Sequence, residues 1–486
     1  MVEDEISTLL VGIDGVCAGI IESIAENGSL PNLTALLDRS ISAPLESQVP
    51  PTTTSSWTSL CTGVNPGTHG VFGDHAIQRN DSTANEIAEL TIWELLSFNG
   101  KRSVVVNVPG SQRQRAFDGA LVPGRGSPGA LEWLPSTARS RYEREFGTYR
   151  ISPDPETPPP KEYPRLVRTR ADAFCFLADE YEPAFGAVVF DTPEAVLYQH
   201  PEDEALLRTV YTAIDEQLGR LLNRYDPSTV LIASDHGMTH SEFEFRVNEF
   251  LRREGFIEST AIRRPELHSR SGQQFVSMGG KPSLTSGVKR LVKTGRLGER
   301  VLGAFPYLTS NGPSVDYETS VAYMRSWNEP GIRVNEKRRD GSGVVSSDDY
   351  EFVRRDVIES LSELQTPAGE PMFEDVARRE KYFWGSNAAE AADIVAVPAD
   401  LNWSFSTALG GDVFAEPDRP WCPTFEGFFA IAGETVDTTA NVSDAHLFDI
   451  APTVLASLEV PVSDRMDGDA LPGIPATRRQ SYPLPN

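Results

Sequence analysis

The stretch Val49-Pro-Pro-Thr-Thr-Thr-Ser-Ser-Trp-Thr-Ser-Leu-Cys-Thr-Gly-Val-Asn-Pro-Gly-Thr-His-Gly70 organises the rest of the chain around itself. Its two prolines keep the start extended, because the residue before a proline is pushed out of the helical region. The Thr and Ser run that follows supplies helix N-cap side chains. The spacing predicts a short helix from Ser55 to Thr62, with Trp57 and Leu60 on one side. Gly63 stops it and Asn65-Pro66-Gly67 turns the chain. A hydroxyl at Thr52, Thr53 or Thr54 then stands where free backbone N–H groups and the positive end of the helix dipole favour an anion, or an oxygen nucleophile attacking one. Taken alone, the same residues describe a capped surface turn, so their company decides.

The 486 residues, 39% hydrophobic and 9% aromatic, suffice for a large core and exclude a disordered chain. No apolar run reaches membrane-spanning length, and the acidic start Met1-Val-Glu-Asp-Glu lacks a signal-peptide layout. A cytoplasmic protein with no membrane partner is expected. Cys17, Cys61, Cys175 and Cys422 are too scattered for a disulfide framework or a Cys-based zinc site. Asp and Glu total 70 against 44 Lys and Arg, the latter mostly Arg, for a formal charge of −26. That balance argues against a nucleic-acid polymer as partner. It resembles proteins of salt-loving microbes, and it repels phosphorylated substrates unless salt shortens the field.

Ser7 to Ile13 is a short apolar run bounded by Asp14-Gly15 and reads as a buried parallel strand. Asp14 then lies at the strand's carboxyl end, where open α/β sheets place their ligands; Asp-Gly is also a common turn. A helix is expected from Leu30 to Leu37, and strands over Ser103 to Val108, Ala187 to Phe190 and Thr229 to Ser234. Pro123 to Pro164, rich in Gly and Pro, reads as an irregular excursion, with the five prolines of Pro153 to Pro160 forming no regular element. Ala205 to Leu222 puts Leu207, Val210, Ile214, Leu218 and Leu221 on one helical face. Helices are also expected over Val247 to Gly255 and Tyr350 to Leu364, a final helix is expected to start at Phe448-Asp-Ile-Ala-Pro-Thr with Thr453 to Leu458 as its body, and strands are expected over Asp393 to Val397 and Gly427 to Ala432. Ser259 to Gly312 is basic and serine-rich, with Val288-Lys-Arg-Leu-Val-Lys, and reads as a cap. The fold class is therefore α/β: one domain over 1–486 with a mostly parallel central sheet, helices on both faces, and a smaller cap insertion at about 259–345.

Asp235-His236-Gly237 follows the Thr229 strand directly. An Asp and a His side by side at a strand's end both reach one divalent ion, and the Gly frees the turn. A turn with a solvated His is the plainer alternative.

The ordered set Val11-Gly-Ile-Asp-Gly, Pro50-Pro-Thr-Thr-Thr-Ser-Ser-Trp-Thr-Ser-Leu-Cys-Thr-Gly, Ser234-Asp-His-Gly, Asp449-Ile-Ala-Pro-Thr and Arg465-Met-Asp-Gly resembles the alkaline phosphatase superfamily. The similarity is to its type I phosphodiesterase / nucleotide pyrophosphatase branch, including archaeal phosphohydrolase- or phosphomutase-like relatives, and spans nearly the whole length. The resemblance implies Thr53 as nucleophile, with Asp14, Thr53, Asp235 and His236 as ligands of one divalent metal, zinc first, with Mn, Mg or Ca as alternatives. It also implies in-line attack on phosphorus and a phosphothreonine intermediate.

Two-metal members bind a second ion with an Asp, a His four residues on, and a late His. Those places fall on Glu194, Tyr198 and Pro423, so the second site is incomplete or rebuilt, with Glu194 and His200 the remaining candidate ligands. His446 reads as structural. Arginines could replace the missing ion, and Arg102, Arg125 and Arg333 are the candidates. The family's phosphate-contacting Asn is Ser56 here.

The expected function is metal-dependent hydrolysis of phosphate esters, most readily diesters, on a small phosphorylated or sulfated substrate. The alternatives are sulfate-ester hydrolysis or phosphoryl transfer with the same groups, and a non-catalytic anion-binding relative.

Overall fold

The computed structural model describes residues 6–16, 18–25, 28–73, 87–111, 115–126, 132–154, 157–260, 313–337, 339 and 343–484. The expected cap segment Val288 to Lys293, most of the region from Ser259 to Gly312, and Cys17 lie outside these residues.

Seven strands form the central sheet: β1 (Thr8–Ile13), β2 (Ile41–Glu46), β3 (Ser103–Val106), β4 (Gly119–Val122), β5 (Phe185–Phe190), β6 (Thr229–Ala233) and β7 (Glu426–Gly433). Their order is β2-β7-β6-β1-β5-β3-β4. Every neighbouring pair from β6 to β4 is parallel, while β7 runs against both β6 and β2. The inner strands are apolar at nearly every position because both faces are covered. Alternation then assigns each side chain to a face. Leu9, Val11, Ile13, Val188, Phe190, Val230 and Ile232 belong to one core. Leu10, Ala187, Val189, Leu231 and Ala233 belong to the other.

Helices Pro159–Tyr181 and Glu204–Tyr225 close the first core, and helices Thr53–Thr62, Ile92–Phe98 and Ile450–Ser457 close the second. This is the expected α/β architecture. A separate antiparallel sheet orders Ala322–Ser326, Glu329–Val334, Ile394–Pro398 and Phe373–Arg378, with helix Tyr350–Ser362 against it. The Asp393 to Val397 strand belongs here and not to the central sheet.

The excursion expected from Pro123 to Pro164 is more regular than its composition suggests. Ser136–Phe146 is a helix whose Tyr142 packs with Trp133 and Tyr149. Pro158, Pro159 and Pro160 stand at the N-cap and first turn of the 23-residue helix Pro159–Tyr181. There a missing N–H costs nothing and the fixed φ favours the helix. A proline cluster here marks a start, and not only an interruption.

Candidate active site and metal centre

Three neighbouring strands, β5, β1 and β6, each hand the chain to an acidic residue at the carboxyl edge: Asp191, Asp14 and Asp235 by way of Ser234. All three are buried. Close packing fixes Asp14: a Cβ on Gly12 would collide with the Trp57 ring, and Trp57 Nε1 donates to Asp14 Oδ1 at 3.4 Å. Gly15 follows at φ +70°, a conformation glycine supplies without steric cost.

Helix Thr53–Thr62 begins two residues before the expected Ser55. Thr52 is the N-cap and Thr53 the first helical residue, and the helix ends on Gly63 at φ +71°. Trp57 and Leu60 anchor it in the second core. The Thr53 hydroxyl donates to Glu194 Oε1 at 3.0 Å and lies 3.3 Å from His236 Nε2. Glu194 stands in the first turn of helix Thr192–Gln199, whose start follows β5. His236 Nδ1 lies 3.0 Å from the Gly237 carbonyl oxygen. With the proton on Nδ1 donated there, Nε2 faces the cluster as a lone pair.

His236 Nε2 is 3.4 Å from Asp235 Oδ2, 3.8 Å from Glu194 Oε1 and 4.0 Å from Asp14 Oδ1. Asp14, Glu194 and His236 bring ligand-capable atoms within 4.8 Å of one another. Asp14 Oδ2 and both oxygens of Asp235 are buried without a hydrogen-bond partner. Burial, then the charge of Glu194, then that of Asp235 hold the Asp14 carboxyl well above the usual carboxylate range. Burial pushes Asp235 up to about 8, with close contacts to Asp14 and to the Asp235 and Gly15 backbone pulling it back and Glu194 adding to the rise. Carboxylates crowded in a dry site around an imidazole lone pair suit a divalent cation, which would satisfy the orphaned oxygens and offset their repulsion. The donor set, oxygens plus one imidazole nitrogen, fits.

Arg125 supplies the cation that the side chains provide themselves. Its guanidinium lies 2.6 Å from Glu194 Oε2, 2.9 Å from Asp191 Oδ2 and 3.7 Å from Asp14 Oδ2. Asp191 is further held by Asn107 Nδ2 at 3.1 Å and by buried Arg170 at 3.4 Å. Asp191 was visible in the sequence as the residue ending a strand in the position of Asp14, and only the sheet order gives it weight.

The other named residues stand elsewhere. Tyr198 lines the pocket next to Thr53 together with Pro423, which pairs with Met238 on strand Gly237–His240. Burial and then Glu194 hold the Tyr198 phenol far above its ordinary pKa, so it stays protonated. His200 ends its helix edge-on to Tyr163, outside the metal-capable group. Arg102 bonds the Tyr181 carbonyl and pairs with Asp118, and Arg333 pairs with Glu329 in the second sheet. His446 caps the turn before helix Ile450–Ser457, its Nδ1 accepting from Phe448 N–H. Ser56 is buried with its hydroxyl unpartnered.

No curated protein matches the chain. Among solved structures it is similar to phosphonoacetate hydrolase from Sinorhizobium meliloti 1021 in complex with phosphonoformate: 15% identity, TM-score 0.57, 92% of this chain and 94% of that chain covered. It is also similar to human ectonucleotide pyrophosphatase / phosphodiesterase 5, at 14% identity and TM-score 0.51 over 98% of this chain and 97% of that one. The murine counterpart, an inactive variant in complex with AMP, aligns at 12% identity and TM-score 0.51, covering 97% of each chain. Identities this low carry the fold alone. A family model described as type I phosphodiesterase / nucleotide pyrophosphatase matches residues 8–428. With that match running from β1 into β7, the chain belongs to the type I phosphodiesterase / nucleotide pyrophosphatase family of the alkaline phosphatase superfamily, and is a hydrolase acting on phosphate esters.

Proposed function

We propose that the chain hydrolyses phosphodiesters through Thr53, with one divalent ion, zinc first, held by Asp14, Asp235, His236 and the Thr53 oxygen. The observation that carries this is the Thr53 hydroxyl at a helix N-terminus, 3.0 Å from Glu194 and 3.3 Å from His236, beside buried carboxylate oxygens that lack a hydrogen-bond partner. When bound, the ion would lower the pKa of the threonine hydroxyl and screen the charge on a phosphoryl oxygen.

The side chains do the rest. Glu194 Oε1 holds the Thr53 hydroxyl and takes its proton as Oγ1 attacks phosphorus. The P–O bond to the leaving group breaks, and Glu194 passes the proton it took to the leaving oxygen. Water then attacks the phosphothreonine, giving a proton to Glu194, the P–Oγ1 bond breaks, and Oγ1 regains that proton as the phosphomonoester is released. Backbone N–H groups of the helix start would face the phosphoryl oxygens. Arg125 holds a fixed positive charge between Asp191 and Glu194, on the side where two-metal relatives place their second ion. Tyr198 and Pro423 leave that side without imidazole, so a built-in guanidinium replaces an exchangeable cation. A cytoplasmic location remains part of this reading; among the described residues no helix is long and apolar enough to cross a membrane.

The test combines elemental analysis with turnover of bis(4-nitrophenyl) phosphate. One zinc per chain is expected, and Thr53→Ala is expected to lower kcat at least about 1,000-fold with the fold intact. A chain that binds no ion, or unchanged turnover in the variant, refutes the mechanism and leaves an anion-binding relative.

A further inference from the structure

The pocket beside Thr53 and Glu194 continues between Tyr198, Trp327, Trp421 and Arg419. Its far wall is aromatic. Arg419 Cζ lies 3.5 Å from the Trp327 ring centroid, and the Tyr198 ring stands edge-on to the same indole at 6.3 Å. Among the described residues Arg419 makes no hydrogen bond and no ion pair within 4 Å. The acidic groups that act on it from further off are Glu244, already paired with Arg246 at 2.7 Å, and Asp418. A partly buried guanidinium with neither carboxylate nor carbonyl within 4 Å bears a desolvation cost that stacking on Trp327 and the more distant charges offset only in part. Stacking on indole orients its plane and leaves the N–H fork for an anion that offers two acceptor oxygens.

We propose that this pocket is a second anion subsite, selecting phosphoesters whose unattacked arm is a flat or apolar ring carrying a further negative charge. Arg419 grips that charge, Trp327 and Tyr198 line the wall the ring packs against, and Thr53 meets the phosphoryl group at the other end. The subsite explains how so acidic a protein draws a doubly anionic substrate: the attraction is local, at one cation shielded by aromatic walls. It rests on the phosphoester reading of the Thr53 centre for its orientation, and its carboxylate, sulfate or phosphate terminus is read by the same fork.

The test measures binding of phenylphosphonate and 4-carboxyphenylphosphonate to the zinc-loaded full chain by calorimetry, in wild type, Arg419→Gln, Arg419→Lys and Trp327→Leu. Wild type is expected to bind the carboxylated probe about tenfold more tightly, the scale of one charge-assisted hydrogen bond. Arg419→Gln is expected to close that gap to under about twofold, with Arg419→Lys and Trp327→Leu between. Equal affinities in wild type, or an undiminished gap in Arg419→Gln, overturn the subsite. Hydrolysis of bis(4-nitrophenyl) phosphate is followed in parallel. An inactive chain that keeps the gap supports the subsite while ending the hydrolase reading, and an active chain without it ends the subsite alone.

Discussion

Asp235 leaves β6 with both carboxylate oxygens buried and unpartnered, next to Asp14 and within reach of Glu194. Without a cation the site is therefore self-repelling, and neutralising one member relieves it. In chelator at pH 8, Asp235→Asn is expected to raise the melting temperature, by the equivalent of about 2 kcal/mol. If Asp235 is a ligand as proposed, the order reverses with zinc, because the variant would have lost a charged ligand and would gain less from the ion. A variant less stable than wild type in chelator would contradict this account of the site. Gly12 is set by a different force. It admits no Cβ because the Trp57 ring occupies the space, and that contact joins the strand leading to Asp14 to the helix that begins at Thr53.

Helix ends hold the site at the next scale. Helix Thr53–Thr62 stops at Gly63, whose N–H bonds the Ser59 carbonyl at 2.7 Å and whose Cα faces Met466 and the Phe448 carbonyl. Behind it, His446 caps the turn leading to helix Ile450–Ser457. Burial pulls the His446 imidazole down to about 4. A folded-state pKa below the unfolded value of about 6.5 means the neutral ring's contribution is fully present above pH 6.5 and is lost as pH falls toward 4. The loss is at most about 3 kcal/mol. His446→Asn keeps a cap acceptor without the titration, and should flatten the melting-temperature profile between pH 6.5 and 4. His69, buried and 2.7 Å from Ser59, is shifted the same way, so part of the slope remains. An unchanged slope in His446→Asn would remove His446 from the explanation.

Over the whole molecule, a formal charge of −26 sets a repulsive background that folding concentrates. Raising NaCl from 0.1 to 1 M shortens the screening length from about 10 to about 3 Å. The melting temperature of the metal-loaded protein is expected to rise by roughly 3–6 °C. A flat or falling profile would show that the many Arg–carboxylate pairs, such as Arg339 and Arg379 around Asp393, already balance the field.

The parallel strands were legible because burial on both faces turns them into short apolar runs, and Asp14 and Asp235 were legible because a residue just past such a run must sit at the sheet's carboxyl edge. Local turn chemistry left Thr52, Thr53 and Thr54 open, and family order alone singled out Thr53. Helices Ser136–Phe146 and Pro159–Tyr181 were not read, since proline content looks the same whether it breaks a helix or starts one. Chain order and local physics thus determined which donors stand at strand ends. Only tertiary structure decided that Arg125, arriving from the turn after β4, would lie between Asp191 and Glu194, and that Trp327 and Arg419 would wall the pocket. Those meetings depend on strand order and on loops that cross the sheet edge, bringing together segments hundreds of residues apart, and no local pattern encodes such a distance.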